Sequence, residues 1–447
     1  MHQITTREKL TYTGGLLGQN MIYGFMSLYI MFFFTDLLRI PPQSVTIIVV
    51  IASLWDAIND PIMGLIADRT HSKMGKFRPY LLVGPLLIAA TTILCFTRFG
   101  GSLAGTIAVA TVSYVLWDMT YTVCDIPIWA VSSVVSRDPN EKNAMVTLGK
   151  IGGTVGTVIV SVGSVALLNL FGGERVAGAF TIAAAVIAGL GAVMMILTGV
   201  FVRERIEPTQ EKIPFRRNLR TILDNGPLKA LLVTLLILNT VNNIRQVTQM
   251  YFAVYVWGSA GYVTYMGLSL VIGMIFGMAI SPKLIARMEK KTLFFIACAV
   301  GAVSSALPFA LGMGPVGGLI LLGVSFAATG VTTITSTAML MDGIDASEHR
   351  LGFRGEGIVF SMSTFLNKLS ATLSKGVLGL AMVGMGYVES MATNEAVKTG
   401  FGLLIYVLPA ACFVLSVVPL LFYRQTDRQM ADIRKELSSR AAAAEEV

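Results

Sequence analysis

Apolar runs of roughly 20 residues recur along the whole chain, the length that an α-helix needs to cross a bilayer, and short polar joints separate them. The runs are predicted to form twelve transmembrane helices, at about 11–35, 43–67, 79–97, 104–135, 146–170, 176–202, 227–255, 262–282, 292–312, 315–340, 356–384 and 399–423. The pattern therefore predicts an all-α integral membrane protein.

Composition agrees with this pattern, because 54% of the 447 residues are hydrophobic and only 13% are charged. Soluble domains carry about 25% charged residues.

The first apolar run is longer than the core of a signal peptide and contains Gln19 and Asn20. We therefore expect a first spanning helix there rather than a cleaved leader.

The basic residues crowd into alternate joints, chiefly at 69–78, 203–220 and 283–291 and in the tail after 424. By the positive-inside rule, these joints and both termini are predicted to be cytoplasmic, and an even number of spans follows. The net charge of +8 thus reflects membrane topology, and no nucleic-acid partner is expected. The expected location is the plasma (inner) membrane, with multiple passes.

The longest charged joint separates six predicted spans from the other six. We accordingly predict an N-terminal six-helix bundle at 1–202 and a C-terminal six-helix bundle at 227–424. A cytoplasmic loop at 203–226 joins them, and a cytoplasmic tail follows at 425–447. Such a division into halves is typical of transporters that are built from internal repeats.

Span two carries two aspartates in the run WDAINDPIMG, which also contains Asn59. Asp56 and Asp60 are four residues apart, so both carboxylates project from one face of a helix. Each charge costs at least about 2.5–3.5 kcal/mol at the bilayer centre, and a partner cation is therefore expected. A sodium ion with several oxygen ligands and a bound proton are both open as that partner, and so is an inter-helix salt bridge.

Span four carries a polar stripe in the run WDMTYTVCDIPIW. Asp118, Thr122, Asp125 and Trp129 follow one another at steps of four, three and four residues, so they share one helix face. Carboxylates accept hydrogen bonds from sugar hydroxyls, and an aromatic ring stacks on the apolar face of a pyranose. The stripe therefore predicts a sugar site, with packing as the alternative for Trp129.

Cations and charged helix ends complete the candidate sites. Lys150 lies near the start of span five, and Lys368 near the middle of span eleven is predicted to face the acidic cluster, because an unpaired ammonium there is costly. Two sets of charged residues are predicted to form cytoplasmic gates, with a solvated surface as the alternative. They are Asp68, Arg69 and Arg78 in the first half and Asp342, Asp345 and Arg354 in the second.

Histidine and cysteine are scarce, and this limits the possible chemistry. The three histidines lie outside the predicted spans, and the four cysteines contain no CxxC pair. We therefore expect no cofactor, no metal beyond a transported ion, and no enzymatic activity.

The run WDAINDPIMGLIADRTHSKMGKFRP, followed by WDMTYTVCDIPIW, resembles the glycoside–pentoside–hexuronide cation symporters, and most closely the melibiose permease group. The stretch LMDGIDASEHRLGFRGEGIVFSMSTFLNK is similar as well, and the resemblance covers essentially the whole chain. It implies a major facilitator fold of twelve helices that carries glycosides inward with Na⁺, Li⁺ or H⁺.

The resemblance also implies roles for individual residues. Asp125 and Trp129 match sugar-binding positions, Lys150 stands where these proteins place a sugar-contacting arginine, and Lys368 matches a lysine near both sites. The matches to the cation-site positions are Asp56, Asn59, Asp60 and Thr122. Keeping Asn59 and Thr122 favours sodium as the coupling ion.

The chain departs from the family pattern on spans one and four. Asn20 stands where the family has a sugar-contacting carboxylate, Gln19 replaces the preceding lysine, and Asp118 replaces a small residue. Lysine at 150 also replaces the planar guanidinium group of an arginine with a compact ammonium group. Asn20 and Asp118 join the predicted sugar site, and the particular sugar stays open.

We therefore expect a symporter that imports a glycoside with Na⁺ by alternating access. The alternatives are an H⁺-coupled carrier of a related sugar, pentoside or hexuronide, and, more remotely, a membrane sugar sensor that does not transport. The expected partners are a small-molecule sugar, a monovalent cation and the lipid bilayer, and no obligate protein partner is evident.

Overall fold

The structure is a computed structural model that describes residues 4–70, 72, 74–136, 138–205, 220–353, 355–388 and 394–445. Over these residues all regular structure is helical. The first six helices are α1 Thr6–Phe32, α2 Pro42–Arg69, α3 Arg78–Cys95, α4 Leu103–Val134, α5 Pro139–Leu170 and α6 Ala177–Phe201. The later ones are α7 Gly226–Tyr251, α8 Gly261–Ile285, α9 Lys290–Ala310, α10 Pro315–Leu351, α11 Glu356–Gly384, α12 Glu395–Leu420 and α13 Asp427–Glu445.

Among the described residues, three π-helical segments interrupt or extend this pattern. Phe33–Leu37 extends α1, Phe252–Val256 extends α7, and Leu403–Val407 lies within α12. Such segments insert an extra residue per turn and often mark functional positions. The segment Phe33–Leu37 contains a buried acidic residue, Asp36.

Eleven described helices, α1 to α10 and α12, are long and apolar enough to cross a membrane. The remaining predicted span forms α11, which has 29 residues and whose polar side chains, Lys368 and Lys375 among them, lower its hydropathy. The prediction of an all-α membrane fold is confirmed. Two predicted boundaries are wrong by several residues, because a helix with charged residues can extend beyond the apolar zone. α5 begins at Pro139 rather than at 146, and α10 continues to Leu351 rather than ending at 340. It stops at Gly352, whose φ of 72° forms a left-handed cap.

The chain divides into two compact units. The first comprises Met1–Gln210, Gln249–Leu268 and Lys375–Lys398, and the second comprises Glu211–Thr248, Ser269–Ser374 and Thr399–Val447. The predicted bundle boundaries at 202 and 227 stay a prediction.

In the first unit, α1 packs against α5 and α6 through small residues. A Cβ atom added at Gly153 of α5 would lie 2.8 Å from Nδ2 of Asn20, and one added at Gly18 of α1 would lie 2.7 Å from the carbonyl oxygen of Gly191 on α6. At Gly18 only glycine permits the two backbones to approach this closely, and at Gly153 the missing Cβ makes room for the Asn20 side chain. Close packing is what holds helices together in lipid. These contacts fix α1 in the unit and so position Gln19 and Asn20.

A buried carboxylate anchors the start of α1. Thr5 and Glu8 form a capping box, and the Glu8 carboxylate also pairs with Arg205 at 2.9 Å, in the segment that follows α6. Arg203 donates its backbone N–H to the same carboxylate at 3.2 Å. The beginning of the first spanning helix is therefore tied to the end of the sixth.

In the second unit, α9 packs against α10 and α12. An apolar core lies among α7, α9, α10, α11 and α12, with Leu228, Val241, Phe294, Met339 and Phe413 fully buried. The tail helix α13 packs against α10.

Candidate cation and sugar sites

The two acidic residues of α2 meet one hydroxyl of α4. Oγ1 of Thr122 lies 3.3 Å from Oδ1 of Asp56 and 3.0 Å from Oδ1 of Asp60. Thr122 is fully buried, and both aspartates are half-buried. Because the aspartates are one helical turn apart on the same face, a single side chain from the neighbouring helix reaches both of them. The structure thus brings together three of the four predicted cation-site residues.

Asn59, the fourth residue of that set, lies on α2 between them and is half-buried. Its Nδ2 atom is buried and has no hydrogen-bond partner among the described residues. Nε1 of Trp55, one turn earlier on α2, is likewise buried and has no hydrogen-bond partner in the described part of the chain. Buried donors are almost always paired, so these two are groups that a bound species can satisfy. Sequence reasoning did not single out Trp55.

Asp125 of the predicted sugar stripe is held by Gln19. The Nε2 atom of Gln19 on α1 donates to Oδ1 of Asp125 at 2.6 Å, and Gln19 is fully buried. Its Oε1 atom is buried without a hydrogen-bond partner in the described part of the chain. Sequence reasoning noted Gln19 as a departure from the family pattern and did not predict its pairing with Asp125.

The other residues of the stripe lie close by on α4. Asp118 and Trp129 are half-buried, and the backbone carbonyl of Asp118 accepts from the Thr122 hydroxyl at 3.2 Å. Next to them, the ring of Tyr121 stacks on Trp117 at 5.3 Å and lies 5.4 Å from Tyr23 of α1. An aromatic wall from α1 and α4 therefore flanks the acidic residues.

The remaining predicted sugar residues lie on three other helices. Nδ2 of Asn20 donates to the carbonyl oxygen of Leu16 in its own helix at 2.9 Å, and Lys150 on α5 is exposed. Lys368 is half-buried on α11 in the second unit. Its predicted approach to the acidic cluster stays a prediction.

Arg78, a predicted gate residue of the first half, binds the end of a neighbouring helix, and the predicted charge network of this set stays a prediction. Nε of Arg78 donates to the carbonyl of Gly199 at 2.8 Å and Nη2 donates to Val200 at 2.9 Å, so this guanidinium caps the end of α6. Arg69 is exposed at the end of α2. The side chain of Asp68, and Arg354 of the second set, lie outside the described residues.

A residue that sequence reasoning missed completes this end of the first unit. The carboxylate of Glu204 accepts the backbone N–H groups of Lys76, Phe77 and Arg78 at 2.8, 2.8 and 3.0 Å. It thus satisfies free donors at the start of α3.

In the second half, Asp342 and Asp345 do belong to a charge network. Asp342, which is 1% exposed, accepts from Lys290 of α9 at 2.7 Å and from Arg434 of α13 at 2.6 Å. Arg434 also donates to Asp345 at 3.0 Å, and this hydrogen bond is the main reason why the pKa of Arg434 is raised. Lys290 and Arg434 were not predicted, because the tail gave no sign in the sequence of where it packs.

Another buried acidic residue, Asp36, was also missed, since the first predicted span ended one residue before it. It lies on the π-helical extension of α1 and accepts hydrogen bonds from Tyr387 at 2.6 Å, from Thr35 at 2.5 Å and from Tyr255. Tyr251 reaches the same cluster through Thr35, at 2.7 Å. An aspartate in the apolar run MFFFTDLL was the available signal.

A bundle of long apolar helices packed through small residues, with carboxylates held at membrane depth, defines a polytopic membrane transporter. The chain belongs to the MFS/sugar transport protein family, whose model matches residues 11–427. The family-level resemblance is thereby confirmed.

Known relatives agree with this assignment over the full length. An inner membrane symporter of Escherichia coli (strain K12), YicJ, is 28% identical over 97% of this chain and 95% of its own length. An isoprimeverose transporter of Lactiplantibacillus pentosus is 26% identical over 98% of this chain and 93% of its own length. The protein is thus a multi-pass sugar transporter of the plasma membrane.

Solved structures show the same fold. A mutant form of the nucleoside transporter NupG superimposes with a TM-score of 0.66 and 14% sequence identity, covering 94% of this chain and all of that one. At this identity the likeness establishes the major facilitator fold alone.

Proposed function

We propose that the protein is a symporter that imports a glycoside together with Na⁺ by alternating access. The observation that carries the proposal is the Thr122 hydroxyl of α4, which lies within 3.3 Å of both Asp56 and Asp60 of α2. Two carboxylates and a hydroxyl are the oxygen ligands that a hard monovalent cation needs. The sugar class rests on the family and on the relative that transports isoprimeverose.

A sodium ion at this position would relieve the repulsion between the two carboxylates. The Thr122 hydroxyl would then rotate, so that its oxygen faces the ion instead of its proton facing Asp60. Asn59 would add its amide oxygen from the same helix. Because α2 and α4 each contribute ligands, the ion would hold the two helices together.

Coupling to the sugar would run through α4. Asp125 lies three residues after Thr122 on this helix, and Gln19 of α1 orients its carboxylate, which would accept a sugar hydroxyl. An ion that orders α4 would therefore preorganise Asp125 as well. Linkage is reciprocal, so the sugar should raise the affinity for Na⁺ by the same factor by which Na⁺ raises the affinity for sugar.

Proton coupling is the second candidate, and the same hydroxyl favours it. The Thr122 hydroxyl has one proton but two carboxylate neighbours, Asp56 and Asp60. If one of these carboxylates is protonated, it can donate to the threonine oxygen while the hydroxyl donates to the other. Adjacent carboxylates favour such shared protonation.

The test is uptake into proteoliposomes that contain the purified protein. A counterflow screen of radiolabelled glycosides, with isoprimeverose among them, identifies a transported sugar. Its uptake is then compared in sodium and choline buffers at one acidic and one alkaline pH. Sodium stimulation at both pH values is expected; stimulation by acid alone would select the proton instead.

The variant Asp60→Asn removes one charge and keeps the shape of the side chain. We expect it to abolish sodium stimulation, while the control Asp432→Asn, at an exposed position of α13, leaves it unchanged. Full sodium stimulation in Asp60→Asn would overturn the assignment of the cation site.

A further inference from the structure

Arg245 is a charged residue that lies deep inside the second unit. It is on α7, is 2% exposed, and donates from Nη2 to the hydroxyls of Ser305 on α9 at 2.7 Å and Ser325 on α10 at 2.9 Å. The ring of Phe326 lies 5.1 Å from its guanidinium carbon. The two serines and the ring hold the guanidinium in one orientation.

The serines do not supply a counter-charge. Ser305 donates to the carbonyl of Gly301 at 2.6 Å, and the two serine hydroxyls lie 2.9 Å apart. Both Nε and Nη1 of Arg245 are buried and have no hydrogen-bond partner among the described residues. Nor does any described carboxylate form an ion pair with Arg245. An arginine stays protonated in proteins, so two directed donors and a full positive charge are left for something else to satisfy.

A further donor lies one turn along α7. Thr248 is fully buried, and its Oγ1 atom also has no hydrogen-bond partner among the described residues. Being three residues on, it shares a helix face with Arg245.

We propose that Arg245 forms a binding site for a small monovalent anion of the halide class inside the second unit. Nε and Nη1 supply two charge-assisted donors, and the Thr248 hydroxyl supplies a third. A halide is chosen because Nε and Nη1 of Arg245 and the Thr248 hydroxyl are donors on or near a positive charge, which suits one desolvated ion better than a polyhydroxylated sugar. The bound ion neutralises Arg245 and thereby stabilises the packing of α7 against α9 and α10.

The experiment measures the thermal stability of the full-length protein in detergent. Sodium concentration and ionic strength are held constant while chloride or bromide replaces gluconate. Chloride and bromide are expected to raise the melting temperature with saturation. Because sodium does not vary, the outcome is independent of the proposed coupling ion. A stability that is the same in halide and gluconate would overturn the proposal.

Two variants localise the effect. Thr248→Val should raise the half-saturating halide concentration by roughly tenfold, the equivalent of one hydrogen bond to a charged group. Arg245→Gln should abolish the halide dependence, and Arg98→Gln, at an exposed position, should retain it. Unchanged halide dependence in both Arg245→Gln and Thr248→Val would contradict the assignment.

Crystals of the unmodified protein grown in bromide give a second test, which needs no variant. An anomalous scattering peak within hydrogen-bond distance of Nε and Nη1 of Arg245 is expected. A map with no peak at that position would overturn the proposal even if halides stabilise the protein elsewhere.

Discussion

Gln19 on α1 donates its side-chain amide to the carboxylate of Asp125 on α4, with 2.6 Å between Nε2 and Oδ1. A neutral donor at this position orients the carboxylate without neutralising it, whereas a lysine would form an ion pair. The Gln19 amide thus helps to fix the position of the Asp125 carboxylate on α4. The relationship links the first helix to the helix that also carries Thr122.

The first prediction concerns this pair. Gln19→Leu should raise the sugar concentration for half-maximal uptake by about tenfold or more, because a hydrogen bond to a charged group contributes about 1.5–3 kcal/mol. The half-saturating sodium concentration should change less. Concentration series of sugar and sodium in proteoliposomes measure both quantities. Gln43→Leu, at an exposed position of α2, serves as the control; equal effects of the two variants would refute the prediction.

The second prediction concerns the hydroxyl between the two carboxylates. Thr122→Ala should raise the half-saturating sodium concentration about tenfold, and Thr122→Ser, which keeps the hydroxyl, should restore most of the affinity. Thr111→Ala is the matched control, because that hydroxyl on α4 donates only within its own helix, to Ile107 at 2.8 Å. If alanine at 122 left the sodium dependence unchanged, the hydroxyl would have no part in ion binding.

The third prediction concerns Asp36 and its tyrosine donors. Tyr387→Phe removes one hydrogen bond to a buried carboxylate, which should destabilise this packing of α1 by about 1–3 kcal/mol. Ile40, which follows α1, is 1% exposed, and all four native cysteines are buried. A cysteine introduced as Ile40→Cys should therefore react faster with a thiol reagent when Tyr387→Phe is also present.

The control for this experiment is Tyr265→Phe, at a tyrosine that is 55% exposed. It should leave the labelling rate of Ile40→Cys as it is in the parent. Identical rates in the Tyr387→Phe and Tyr265→Phe backgrounds would show that the hydroxyl does not hold this region closed.

The fourth prediction concerns the tail helix. Asp342→Asn leaves Lys290 and Arg434 without their shared buried carboxylate, so the protein should lose roughly 1–3 kcal/mol of stability. The tail α13 should then become susceptible to limited proteolysis. Asp432→Asn changes the same residue type at an exposed site of α13 and should have no such effect. A protected tail in Asp342→Asn would mean that apolar contacts alone dock it.

The membrane fold was predictable because its signals are local. Each apolar run of bilayer length must satisfy its own backbone hydrogen bonds, so it must be helical whatever its neighbours are. The i,i+4 spacing of Asp56 and Asp60 likewise placed both on one face of α2 before any tertiary contact was known. The end of α10 was misplaced for the same reason, since hydropathy reports the bilayer and not where a helix stops.

The partners of these residues were not predictable in the same way. Three of these contacts join residues that are far apart in the sequence. Gln19 and Asp125 are 106 positions apart, Tyr387 and Asp36 are 351 apart, and Arg434 of the tail and Asp342 are 92 apart. No periodicity in the sequence encodes such a distance. The buried state of Arg245 was equally hidden, because an arginine in an apolar run can also extend to the membrane surface.

The sequence by itself thus determined a twelve-span transporter of the sugar class, with acidic residues on α2 and α4, because helix length and helix face follow from local spacing. Only the tertiary structure decided which side chains meet: Thr122 between Asp56 and Asp60, and Arg245 among serines with two donors left over. The physical reason is that hydrogen bonds and ion pairs act over a few ångströms. Which groups come that close is set by how the helices pack, and packing depends on the whole chain.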